Sequence, residues 1–81
     1  MTHEILLYYK YATVRAPQKF MEEQRAFCEK HGLKGRIIVA KEGINGTIEG
    51  TLKATKAYQK SLMSRVGFKN IHWKKSPGDG T

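Results

Sequence analysis

The chain has 81 residues, enough for one small domain and too few for a comfortable pair. Its 40% hydrophobic content favours a folded domain over disorder, and its single cysteine excludes an internal disulfide framework and a cysteine-cluster zinc site. Fifteen Lys and Arg residues against seven Asp and Glu residues give a net charge of +8, of which residues 51–81 carry +6. This cationic segment suits a polyanionic partner, either nucleic acid or an anionic membrane surface, or serves solubility alone.

Neither a membrane span nor a secretory signal is evident in the sequence. No apolar run approaches the ~20 residues needed to cross a bilayer. Residues 1–9 lack the charged and apolar regions of a signal peptide. We therefore expect a cytoplasmic protein without a membrane partner.

Hydrophobic periodicity predicts six elements in the order β-α-β-β-α-β. In chain order they are a strand at 4–11, a helix at 17–31, strands at 36–42 and 47–50, a helix at 52–66 and a strand at 68–74. Pro17 suits the start of the first helix and Gly32 its end, and Thr51 is the expected N-cap of the second helix. This order predicts the ferredoxin-like α+β fold, a four-stranded antiparallel sheet with two helices on one face.

The first strand is apolar on both of its faces. Ile5, Leu7, Tyr9 and Tyr11 point one way, and Leu6, Tyr8 and Lys10 point the other. Because the helices cover one face, the open face must also carry apolar residues, and we expect it to meet another domain, another chain or RNA bases. RNA-recognition motifs stack bases on such aromatic residues, but their Lys/Arg-Gly-aromatic signature is missing here, so we assign most of these tyrosines to the core.

The most distinctive stretch is a predicted hairpin turn at Gly43–Gly46. Asn and Gly tolerate positive φ, so a plain turn is the simplest interpretation. The functional alternative is a substrate or domain-interface loop, in which loop N–H groups and the Asn45 amide bind an anion or a base. The residues of that candidate loop are Glu42, Gly43, Ile44, Asn45 and Gly46.

Lysines of the second half are the candidate RNA contacts. Lys53, Lys56 and Lys60 recur at helical spacing, and Lys74 and Lys75 follow in the last strand and just after it. They would either track phosphates or form an ordinary solvated surface.

Catalytic and metal-binding patterns are not found in the sequence. A catalytic thiolate favours a helix N-terminus or a cationic loop, whereas Cys28 lies on the apolar stripe of the first helix, so we assign it to the core. His3, His31 and His72 lack metal-ligand spacing, and no catalytic triad, phosphate-binding loop or carboxylate pair stands out. We expect no metal, no cofactor and no catalytic residue in this chain.

A family resemblance rests on residues 34–47, KGRIIVAKEGINGT, together with the YYKY run at 8–11 and the EEQR run at 22–25. These stretches closely resemble the N-terminal domain of the rhodanese-related tRNA uridine hydroxylases, and the resemblance covers essentially the whole chain. It implies an acylphosphatase-like variant of the ferredoxin-like fold. It also implies a parent enzyme that hydroxylates the wobble uridine of tRNA at carbon 5 with molecular oxygen, using a rhodanese domain with a reactive cysteine.

The resemblance sets the expected domain boundaries and partners. Residues 1–75 would be the N-terminal domain, and residues 76–81 a linker or truncated end toward an absent rhodanese domain. The expected partners are tRNA and that rhodanese domain. The open alternatives are a purely structural domain that shields the rhodanese site, and a small stand-alone acylphosphatase-like or RNA-binding protein. Acyl-phosphate hydrolysis is disfavoured because Lys10–Arg15 offers no loop that cradles a phosphate.

Overall fold

A computed structural model describes residues 3–78. The elements are β1 (His3–Tyr11), α1 (Pro17–His31), β2 (Lys34–Ala40), β3 (Gly43–Thr51), α2 (Leu52–Met63) and β4 (His72–Pro77). The strands form one antiparallel sheet in the order β2-β3-β1-β4. The predicted ferredoxin-like fold is confirmed.

The helices cover the sheet face that carries Leu6 and Tyr8. These two β1 side chains are buried in one cluster with Phe20 of α1 and with Tyr58 and Leu62 of α2. Because successive strand residues point to opposite faces, the β1 residues that alternate with them lie on the face that the helices leave open. No helix among residues 3–78 is long and apolar enough to pass through a membrane.

A buried pair of phenols ties β1 to α2. The hydroxyls of Tyr8 and Tyr58 lie 2.6 Å apart and share a hydrogen bond, and the ring centroids are 5.5 Å apart. Burial raises the pKa of both phenols above their ordinary value of about 10. Both groups therefore stay protonated. Removal of one hydroxyl would leave the other without a hydrogen-bond partner in the core, which would lower the free energy of unfolding by about 1–3 kcal/mol.

The predicted caps of the two helices are confirmed. Thr51 Oγ1 accepts a hydrogen bond from the N–H of Ala54 at 3.1 Å, as expected of an N-cap. Gly32 ends α1 with φ of 70°, the left-handed conformation that glycine adopts without steric cost.

The hairpin between β2 and β3 turns at Lys41 and Glu42, so the predicted turn at Gly43–Gly46 is wrong. All four residues of that predicted turn belong to β3. The carbonyls of Lys41 and Glu42 accept hydrogen bonds from the N–H groups of Val14 and Ala12, at 2.8 and 2.9 Å. The loop between β1 and α1 therefore helps to fix the turn, and local turn propensity does not reveal this tertiary contact.

The start of the last strand also differs from prediction. Helix α2 ends at Met63 and β4 begins at residue 72. Phe68, assigned to the strand, lies in the connection before it and is buried edge-on against the ring of Phe20, with centroids 5.4 Å apart. Val66, the last residue of the predicted second helix, is 97% exposed in the same connection. Apolar residues of the irregular segment 64–71 were therefore mistaken for part of a strand.

The end of the sheet lies further along the chain than the expected domain boundary at residue 75. Ser76 and Pro77 belong to β4 rather than to a linker, and the N–H of Gly78 bonds the carbonyl of His3 at 3.2 Å. Residues 79–81, the rest of the predicted linker, lie outside the described residues.

Candidate functional site

The open sheet face is organised in rows that cross the strands. One row runs from edge to edge through Ile38, Asn45, Tyr9 and His72, and we name it the aromatic row. The neighbouring row runs through Arg36, Thr47, Leu7 and Lys74, and we name it the cationic row. Residues in register on antiparallel strands point to the same face, so these eight side chains share one surface.

A concavity of about 770 Å³ opens on this face. The whole aromatic row lines it, together with Tyr11, Ala40 and the cationic row except Arg36. The Tyr9 ring is half exposed and lies 5.5 Å from the His72 ring and 6.1 Å, edge-on, from the Tyr11 ring, measured between centroids. The concavity therefore has an aromatic floor that is open to a ligand.

Strand alternation explains why these aromatic residues face outward. Leu6 and Tyr8 fill the core side of β1, so Leu7, Tyr9 and Tyr11 must take the open side. Tyr9 and Tyr11 are 51% and 79% exposed, so the assignment of most of these tyrosines to the core is wrong for both of them. Contiguous apolar surface of this kind is unfavourable in water and typically marks an interaction site. This outcome agrees with the expectation that the open face would carry apolar residues.

Positive groups dominate the margins of this face. Arg36 and Lys74 stand at the two ends of the cationic row, and Lys34 lies two residues before Arg36 on β2, in the next row; all three are exposed. Two carboxylates oppose them, Glu42 at the rim of the concavity and Glu49 in the row with Lys34. Cations at both edges of an apolar floor favour an anionic ligand that lies across the sheet.

The candidate loop at Glu42–Gly46 is divided between the two faces of β3. Asn45 is exposed in the aromatic row, between Ile38 and Tyr9. Ile44 and Gly46 are buried on the helix side. Glu42 stays in the turn, at the rim. The stretch is therefore not a loop, and Asn45 is its residue in β3 whose side chain is exposed on the open floor.

The glycines of this stretch allow the close approach of the neighbouring strand β1. A Cβ at Gly43 would lie 2.1 Å from the Lys10 carbonyl oxygen, and a Cβ at Gly46 would lie 2.6 Å from the Tyr8 hydroxyl. Both distances are too short for an L-residue without movement of the neighbour. Contact with β1 therefore accounts for both glycines, and a binding role for this stretch stays a prediction.

The predicted RNA-binding lysines do not form one surface. Lys53, Lys56 and Lys60 are exposed, and at 100° per residue they lie opposite the buried stripe of α2; we name them the α2 lysine stripe. Lys74 belongs to the cationic row on the far side of the sheet. Lys75 is exposed and in register with Leu6, so it points to the helix side at the β4 edge.

Sequence reasoning did not select Arg36, Thr47 or His72 for the site. They lie on three different strands and come together through register alone. The residues around Asn45 alternate between the core and the open face, and this alternation could have indicated a strand here. The expected turn at the same position prevented that assignment.

The surroundings of Cys28 and the placement of potential metal ligands are described for residues 3–78. Cys28 is half-buried against the core, as predicted, and burial raises the pKa of its thiol, which opposes thiolate formation. No group of three His, Cys, Asp or Glu side chains in this part of the chain is placed to hold a metal ion. The described surface is suited to binding.

The family model described as "UPF0176 acylphosphatase like domain" matches residues 3–81. A protein of Enterococcus faecalis (strain ATCC 700802 / V583), named tRNA uridine(34) hydroxylase, is 44% identical over 79 residues, which cover 98% of this chain and 25% of that protein. A protein of the same name from Staphylococcus aureus (strain JH9) is 42% identical over 80 residues, covering 99% and 25%. The chain thus spans about a quarter of the length of the curated relatives it matches.

Proposed function

The chain belongs to the family of UPF0176 acylphosphatase-like domains, and on this premise we propose that it is the tRNA-holding N-terminal domain of a tRNA uridine(34) hydroxylase. The names of the relatives supply the substrate class. The parent enzyme would act in the cytoplasm, where tRNA is modified. It would hydroxylate carbon 5 of the uridine with molecular oxygen as co-substrate, and the reactive cysteine would come from a rhodanese domain outside this chain. This domain's own residues would bind and orient the RNA.

The observation that carries the proposal is the juxtaposition of the aromatic and cationic rows on one open face. Exposed aromatic rings stack on unpaired bases, and lysine and arginine at the margins neutralise phosphates. A face that only packed against another domain would also be apolar. Arg36 and Lys74, at opposite edges of the same row, add the positive charge that a phosphate backbone requires, and this favours RNA.

The α2 lysine stripe receives a secondary role in this proposal. Because it points away from the open face, a single RNA strand cannot lie on both surfaces at once. We assign the direct contact to the open face. The stripe and Lys75 would add to the positive field that draws tRNA toward the domain.

The proposal is tested by fluorescence anisotropy of labelled tRNA with the 81-residue chain at several salt concentrations. Binding should weaken steeply with salt, since each phosphate contact contributes about 0.7–0.9 to the slope of log K against log salt. Reversal of charge in Arg36→Glu/Lys74→Glu should weaken binding at least tenfold. Lys53→Glu/Lys56→Glu changes the net charge by the same amount on the opposite side and is the matched control, expected to weaken binding several-fold less.

A second experiment places the domain in a working enzyme. The chain would replace the matching segment of the Enterococcus faecalis relative, and 5-hydroxyuridine in tRNA would be measured by mass spectrometry. The chimera should retain activity, and Arg36→Glu/Lys74→Glu within it should reduce modification. If the isolated chain does not bind tRNA at any salt concentration while the same double variant inactivates the chimera, the open face docks on another domain and RNA holding is refuted.

A further inference from the structure

We propose that the aromatic row seats a single unpaired RNA base, stacked on the ring of Tyr9 with the Asn45 amide at the base's hydrogen-bonding edge. The inference rests on the proposed function and specifies which part of an RNA this surface takes. The ligand class is single-stranded RNA. Neither an RNA duplex nor a protein partner presents an unpaired base that could stack on Tyr9.

The stacking platform is held in place from both sides. Tyr9 lies on β1, a central strand, and its ring has the His72 ring on one side and the edge of the Tyr11 ring on another. These contacts restrict the ring without covering it, since half of the residue stays exposed. A restricted, exposed aromatic face stacks any base, because every base has a π-face.

The Asn45 side chain offers hydrogen-bonding groups beside the Tyr9 ring, and a purely apolar contact would not use them. Asn45 is the direct cross-strand neighbour of Tyr9 and of Ile38, and its side chain makes no hydrogen bond within residues 3–78. It offers one acceptor and two donors. The Watson–Crick edge of a base presents a donor beside an acceptor, which an amide matches with two parallel hydrogen bonds.

The cationic row then lies where the flanking phosphates would run. It is two residues further along each strand, about 7 Å from the aromatic row at ~3.3 Å rise per residue. Lys74 lines the concavity itself, and Arg36 stands at the opposite edge. A base on Tyr9 would therefore have a cation on either side of its backbone.

The shape of the site selects unpaired RNA. The concavity is open to solvent, so it accepts a base that is splayed out from its strand. In an A-form duplex the base faces are stacked and the edges are paired, and neither can reach Tyr9 or Asn45. A tRNA loop presents such splayed bases, whereas its stems do not.

The test measures binding of a fluorescein-labelled RNA heptamer, oligouridylate, to the 81-residue chain, with a fluorescein-labelled blunt RNA duplex of seven G·C pairs in mixed order as comparison. The single strand should bind and the duplex should bind at least tenfold more weakly. Loss of a stacked base is worth about 5- to 150-fold in affinity. Tyr9→Ala should therefore weaken heptamer binding by at least fivefold, and Tyr9→Phe, which keeps the ring, should bind like the native chain.

The amide is tested by Asn45→Ala, which removes the hydrogen-bonding edge without a charge, and by Asn45→Asp, which adds a negative charge and loses the donors. Heptamer binding should fall several-fold in the first and further in the second, with unchanged melting temperatures. Equal binding of duplex and single strand, or native binding by Tyr9→Ala and Asn45→Ala, would overturn the base seat. The tRNA-holding function would survive that result if Arg36→Glu/Lys74→Glu still weakened tRNA binding at least tenfold.

Discussion

Substitution of Gly46 by alanine tests the division of β3 between core and site. The new Cβ would lie 2.6 Å from the Tyr8 hydroxyl oxygen and 2.7 Å from the adjacent ring carbon. Tyr8 is 3% exposed and packs 4.9 Å from the Trp73 ring, so it has little space to move. A shift of the ring would also break its hydrogen bond to Tyr58.

The expected loss of stability follows from these contacts. Overpacking of this kind costs about 1–3 kcal/mol, and buried hydroxyls left without a partner add about 1 kcal/mol or more. The lower backbone entropy of alanine in the unfolded chain offsets about 0.5 kcal/mol, because Gly46 does not have a positive φ. The net loss is about 1.5–3.5 kcal/mol, out of a total near 4–12 kcal/mol for a domain of this length. The melting temperature should fall by about 6–28 °C.

Urea unfolding followed by circular dichroism measures this loss, with Asn45→Ala as the neighbouring control on the exposed side. That control should change stability by less than about 0.5 kcal/mol. Tyr8→Phe removes the atom nearest to the new Cβ. The double variant Gly46→Ala/Tyr8→Phe should therefore lose at least about 1 kcal/mol less than the sum of the single variants. A Gly46→Ala chain as stable as the native one, or an additive cycle, would refute the packing argument.

Three further predictions concern the rest of the fold and the charged surface. Thr51→Ala should cost about 1 kcal/mol through the lost N-cap, with Thr51→Ser restoring most of it, as measured by thermal unfolding. Because burial raises the pKa of both Tyr8 and Tyr58 above 10, the contribution of these phenols to stability should be complete below pH 10 and fall above it by about 1.4 kcal/mol per pH unit for each phenol, and Tyr58→Phe should remove one such increment from the slope measured in urea titrations at pH 8–11. Reversal of all three charges in the α2 lysine stripe should lower the salt slope of tRNA binding and leave heptamer binding within threefold of native. A larger loss for the heptamer would mean that the stripe contacts single-stranded RNA directly.

The order and type of the elements could be predicted because each carries a strong local signal. Helix α1 was predicted over the residues it occupies, since Pro17 and Gly32 mark its two ends. The expected open face also followed from the sequence, because β1 is apolar on both sides and two helices cover one. Local patterns suffice where a periodic stretch and its end signals agree.

The site itself could not be predicted, because it depends on register. The EGINGT stretch contains two glycines and an asparagine, which favour a turn on local propensity alone. The glycines are required by close approach of β1, and the turn forms two residues earlier under hydrogen bonds from the β1–α1 loop. A one-residue error in such an assignment moves every side chain to the other face.

Because residues 43–47 form a strand and not a loop, alternate residues of this stretch serve the core and the open face. Gly43, Ile44 and Gly46 serve the fold, since they admit β1 or fill the core. Asn45 and Thr47 are directed to the open face, where they lie beside Tyr9 and Leu7. Substitutions at the first set should therefore lower stability and RNA binding together, because the platform unfolds with the domain. Substitutions at the second set should lower RNA binding at constant stability, and that separation within five consecutive residues distinguishes a binding strand from a structural hairpin.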